Sequence, residues 1–89
     1  MAAPSRQTTW RTDDELLQML DDPAAWTVNG RSGRTLATAN SLRDATTEAG
    51  RLKTGHRVTA VVRRSGDLVI VFYGQIERLL TLIAAARTS

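Results

Sequence analysis

The chain has 89 residues, 42% of them hydrophobic and 24% charged, with a formal net charge of +3. That length and balance fit one globular domain and exclude collagen-like, mucin-like and wholly disordered chains. Cysteine is absent, which removes a disulfide framework, a thiolate nucleophile and every cysteine-ligated zinc or iron–sulfur site. The charge is uneven: residues 1–25 hold two arginines against five acids, whereas residues 26–89 hold ten basic groups against four acids. Eleven of the twelve basic residues are arginine, the residue whose planar fork suits phosphate and carboxylate oxygens, although a coding bias toward arginine, alanine and threonine gives the same count.

Residues 1–11 are polar and small and read as a flexible N-terminal arm, without the apolar stretch of a signal peptide. The remainder, residues 12–89, reads as a single domain. Thr12-Asp13-Asp14-Glu15 has the spacing of a capping box, and Leu16, Leu17 and Leu20 give the following helix its apolar stripe. Asp21-Asp22-Pro23 ends it after about nine residues, because the residue before proline is pushed out of the helical region. The two acids there oppose the helix dipole, an anomaly that a nearby arginine would resolve.

Trp26-Thr27-Val28 alternates like a strand, a polar turn runs over residues 29–34, and residues 35–37 are either the return strand of a hairpin or a plain lead-in. A second helix begins at Asn40 or Ser41, with Leu42, Ala45, Ala49 and Leu52 on one face and Gly55 as the expected left-handed residue past its end. Residues 57–63 and 68–73 are strands around a turn at Ser65-Gly66-Asp67. With Ser65 and Gly66 as a two-residue loop, Val62 pairs with Val69 and Ala60 with Val71. One face then carries Val58, Ala60, Val62, Val69, Val71 and Tyr73, and the other Val61, Leu68, Ile70 and Phe72. Ile76, Leu79, Leu80 and Ile83 mark a last helix after Gly74. The expected fold is α+β: a small antiparallel sheet of three to four strands with about three short helices, in the order α-β-(β)-α-β-β-α.

Little in the sequence points to catalysis. His56 is the single histidine, and the carboxylate clusters at residues 13–15 and 21–22 are accounted for by helix capping and turn formation. No catalytic, cofactor or metal site is expected, and the chain reads as a non-enzyme. No apolar stretch approaches the ~20 residues of a membrane-spanning helix, so no membrane is expected and the cytoplasm is the default location.

The sharpest local signal is Gly30-Arg31-Ser32-Gly33-Arg34, in which two glycines permit exposed amides and two arginines supply charge. It lacks the spacing and lysine of a P-loop. It resembles the Gly-x-x-Gly loop of K-homology RNA-binding domains, loosely extended by Leu36 and by the strand, glycine and helix of residues 68–83. That resemblance implies a loop clamping a nucleic-acid backbone between two helices. The chain departs from the pattern because residues 26–28 read as strand and the stretch from Gly33 to Arg57 is longer than that fold's second helix.

Two functional readings follow. The leading one is a non-enzymatic interaction or regulatory domain, acting on an unknown protein partner or forming a homodimer. The strand over residues 68–73 is apolar on both faces and offers Val69, Val71, Tyr73 and, from the last helix, Leu82 as an interface. The alternative is a binder of the RNA or DNA backbone through Gly30, Arg31, Gly33, Arg34, Arg57, Arg63 and Arg64.

Overall fold

A computed structural model of the chain describes residues 10–53 and 55–87. Of the expected arm, residues 1–11, only Trp10 and Arg11 fall among them. The elements in chain order are α1 (Asp13–Gln18), β1 (Trp26–Gly30), a 3-10 turn (Arg31–Gly33), β2 (Thr35–Ala39), α2 (Leu42–Leu52), β3 (Val58–Arg63), β4 (Val69–Phe72) and α3 (Tyr73–Arg87). All strand pairs are antiparallel, in the order β2-β1-β3-β4, so the α+β class stands and residues 35–37 belong to a return strand. Successive elements alternate in direction. One end of the molecule therefore gathers the start of α1, the β1–β2 tip, the end of α2 and the start of β3, and the opposite end gathers the β3–β4 turn and the start of α2.

α1 starts as its sequence dictates. The Thr12 hydroxyl accepts from the Glu15 amide and the Glu15 carboxylate accepts from the Thr12 amide. The helix is shorter than expected, six residues rather than about nine, and turns take the chain on to Pro23. Ser41 caps α2 by accepting from the Asp44 amide. At the far end of α2 the expected left-handed Gly55 is absent: among the described residues only Ser32, Gly33 and Gly66 have positive φ. The Gly55 and His56 amides both donate to the Leu52 carbonyl, which satisfies the helix end without a left-handed turn.

α2 and α3 cover one face of the sheet and pack on each other, with α1 against α3. Trp26, Val28, Val61, Val69 and Val71 from the strands join Leu16, Leu42, Ala45, Ala49, Ile76 and Leu79 in one buried core. The β3–β4 register differs from expectation by one residue. Arg63 pairs with Val69 and Val61 with Val71, leaving residues 64–68 in the turn. One added loop residue exchanges the faces of β3 relative to β4, so Val61 rather than Val62 shares the helix side with Val69 and Val71.

Two bulges lie toward the β1–β2 tip. Asn29 pairs with Thr35 next to a Val28–Ala37 pair, leaving Leu36 extra on β2, and Gly30 pairs with Val58 next to an Asn29–Ala60 pair, leaving Thr59 extra on β3. Each bulge turns an aliphatic side chain back to the core, Leu36 on β2 and Val58 on β3. Gly30 sits between them, where a Cβ would meet Leu36 Cδ1 at 3.0 Å and the Arg57 carbonyl at 3.2 Å. The tip itself turns through two consecutive left-handed residues, Ser32 (φ 65°) and Gly33 (φ 76°), the second of which suits glycine because it carries no Cβ to clash.

Candidate functional site

The sheet is helix-covered on one face only. Strand alternation and the observed pairing place two cross-sheet rows on the outer face: Thr38, Thr27, Val62, Ile70, and, nearer the tip, Thr35, Asn29, Ala60, Phe72. The β1–β2 half of this face is polar and the β3–β4 half apolar.

The β1–β2 tip and the start of β3 are cationic, with the acidic start of α1 (Asp13, Asp14 and Glu15) at the same end of the molecule. Gly30 pairs with Val58, so Arg57 stands beside the turn that carries Arg31 and Arg34, and the end of α2 brings Lys53 to the same end of the molecule. All four basic side chains are exposed, and none has an ion-pair partner among the described residues. Three other arginines differ. Arg43 grips Asp21 with two hydrogen bonds of 2.7 and 3.1 Å, Arg78 bonds Asp13 at 3.1 Å, and Arg51 pairs with Glu48. Arg43 thus compensates one of the two acids that follow α1.

Of the residues singled out in the sequence, Gly30, Arg31, Gly33, Arg34 and Arg57 come together. Arg63 and Arg64 do not: they lie at the opposite end of β3, about 20 Å away at ~3.3 Å per residue, where Arg63 donates to the Asp67 carbonyl. The backbone of the tip is partly committed, since the Gly30 amide donates to the Arg34 carbonyl at 2.7 Å and the Arg34 amide to that of Arg31. The tip therefore offers guanidinium charge more than a cradle of amides. It also joins two strands, so the expected likeness to a loop held between two helices does not extend to its setting.

The expected apolar interface is dispersed. Val69 and Val71 are fully buried under the helices and Tyr73 packs against the same core, while Leu82 is exposed on α3. The apolar side chains turned outward on β4 are instead Leu68, Ile70 and Phe72, with Leu68 44% and Phe72 61% exposed. This triplet shares one face of β4 by strand alternation, as its sequence pattern indicates, and it is the face away from the helices. Lys53 and Asn29 were passed over in the sequence, where no motif signal marks them.

Three surface carboxylates are held below their ordinary range. Asp13 accepts hydrogen bonds from Gln75 Nε2 and Arg78, Glu15 from the Thr12 amide and hydroxyl, and Asp21 from Arg43. Their folded pKa values are depressed, so the stability they contribute is present above the unfolded values near pH 4 and disappears as pH falls through the lower folded ones. The thermal midpoint is expected to drop below about pH 4, and an Asp13→Asn, Glu15→Gln, Asp21→Asn variant to show a flatter acid limb by calorimetry. Gln75, 6% exposed, also donates to the Arg11 carbonyl at 2.7 Å and so fastens the start of α1 to α3. A shallow cleft there is lined by Trp10, Thr12, Asp13, Asp14, Gln75 and Arg78.

His56 is exposed and has no hydrogen-bonding partner for its ring among the described residues, and no group of three or more metal-ligating side chains occurs among them. No described helix is long and apolar enough to cross a membrane. Compared with protein-family models, curated proteins and solved structures, the chain matches none.

Proposed function

We propose that the chain is a small non-enzymatic binding domain that holds the sugar–phosphate backbone of nucleic acid at the tip end of its sheet. The observation that carries this reading is a clustering of basic residues: Arg43, Arg51 and Arg78 are each paired with a carboxylate, whereas Arg31, Arg34, Arg57 and Lys53 share one end of the molecule without an ion pair, against two such residues, Arg63 and Arg64, at the other. Unpaired guanidinium groups displace condensed counterions from a polyanion, and their planar forks donate to two phosphate oxygens at a time. Fluorescence polarisation with a labelled oligonucleotide over a series of salt concentrations tests it. Four phosphate contacts predict a slope of log affinity against log salt of about −3 to −4. A flat response rejects the reading.

A second reading, association of two copies through the outer side of β4, is favoured by the exposure of Leu68 and Phe72. Light scattering separates it, since a homodimer has twice the 9.7 kDa mass of the chain.

A further inference from the structure

Phe72 has no structural task where it stands. It is the last residue of β4, it points away from the core that its neighbour Val71 enters, and it is 61% exposed, more than any other large apolar side chain among the described residues. Burying a phenylalanine is among the largest single gains a small core offers, so an aromatic ring left in water beside a smaller buried valine is a feature to explain. Its cross-sheet row runs Phe72, Ala60, Asn29, Thr35. Ala60, with a single methyl group and only 6% exposed, therefore separates the ring from the Asn29 amide by two strand spacings, about 10 Å. The Asn29 side chain is 7% exposed, and its oxygen accepts from the Thr27 hydroxyl at 2.7 Å, but its N–H groups have no partner among the described residues. A nearly buried amide with unspent donors is aimed at an acceptor the chain does not supply.

The cationic end begins one or two residues further along the neighbouring strands, at Gly30 with Arg31, and at Val58 with Arg57. An aromatic face, a hydrogen-bond donor and a run of guanidinium groups on the side of the sheet away from the helices are what a single strand requires, because its unpaired bases stack while its backbone follows the charge. We infer that this outer face binds single-stranded nucleic acid, one base lying on the Phe72 ring across Ala60 with its edge toward Asn29, and the adjoining phosphates on Arg57 and the Arg31–Arg34 tip. The inference rests on the backbone-binding reading and adds to it a preference for single strands and a base contact. A duplex keeps its base faces stacked inside and cannot use Phe72.

The test uses three probes on the full chain: a short labelled oligouridylate, a blunt duplex of the same length, and inorganic polyphosphate, which has charge but no bases. The variants are Phe72→Ala, Phe72→Leu and Phe72→Trp. Loss of one stacked base is worth about 1 to 3 kcal/mol, so Phe72→Ala is expected to weaken oligouridylate binding roughly 5- to 150-fold. Phe72→Leu keeps the apolar bulk and guards against a folding defect; it is expected to lose a similar amount, while Phe72→Trp retains the affinity of the native chain. Duplex and polyphosphate binding should be unchanged in all three. If Phe72→Leu binds oligouridylate like the native chain while Arg57→Ala does not, the base contact is overturned and the backbone reading survives. If the native chain binds none of the probes, both fail. If Phe72→Leu instead converts a dimer into a monomer, a second copy occupies the face and the inference is overturned.

Discussion

A chain carrying Arg31→Ala, Arg34→Ala and Arg57→Ala together is expected to lose about 100-fold in affinity for nucleic acid at moderate salt while unfolding at the temperature of the native protein. The magnitude follows from roughly 1 kcal/mol for each exposed phosphate contact after screening, and the same change should reduce the salt slope by about three. The unchanged stability follows from the structure: all three side chains are exposed and none is bonded to a carboxylate among the described residues. Two further variants sharpen the result. Replacing the three by lysine keeps the charge but not the planar fork, so affinity should fall between the native and alanine values. Arg63→Ala with Arg64→Ala removes two charges from the opposite end of β3 and should leave affinity close to native. Equal losses from the two ends would mean that net charge, and not the tip, governs binding.

The largest stability effect is expected from Trp26→Ala. Trp26 is 1% exposed in β1, a central strand paired on both sides, and its ring belongs to the core cluster that holds α1, α2 and α3 to the sheet. Truncating a buried aromatic costs about 3 to 5 kcal/mol, against a total of about 5 to 15 kcal/mol for a typical domain. The thermal midpoint should fall by some 15 to 30 °C, or folding be lost, as read by circular dichroism. Phe72→Ala, a change of similar size on the exposed side of the same sheet, should move the midpoint by no more than a few degrees.

Much of the architecture is written locally in the sequence. The Thr12 to Glu15 capping box, the Leu42-Ala45-Ala49 face of α2 and the Ile76-Leu79-Leu80-Ile83 stripe of α3 are each specified by neighbours within a turn or two, and each forms. What the sequence does not specify locally is register. Residues 58–62 and 68–72 are apolar at nearly every position, so the pattern is compatible with either face being inside, and the length of the turn decides. One residue more than a tight hairpin in that turn was enough to put Val61 in place of Val62 beside Val69 and Val71 on the helix side of the sheet. The bulges at Leu36 and Thr59 are equally silent, because they arise from the space left by Gly30 between two strands far apart in the chain. The candidate site inherits the same division. The arginines flanking the glycines were visible as a motif, whereas the row of Asn29, Ala60 and Phe72 exists only once three separate strands are in register.

β4 ends at Phe72 and α3 begins at Tyr73 with no residue between them. The joint fixes the rotational phase of the helix against the sheet. A residue inserted there would turn Ile76 and Leu79 by about 100° around the helix axis, away from the strands they now cover. The chain is thus closed to lengthening at this seam, and any inserted reporter belongs elsewhere.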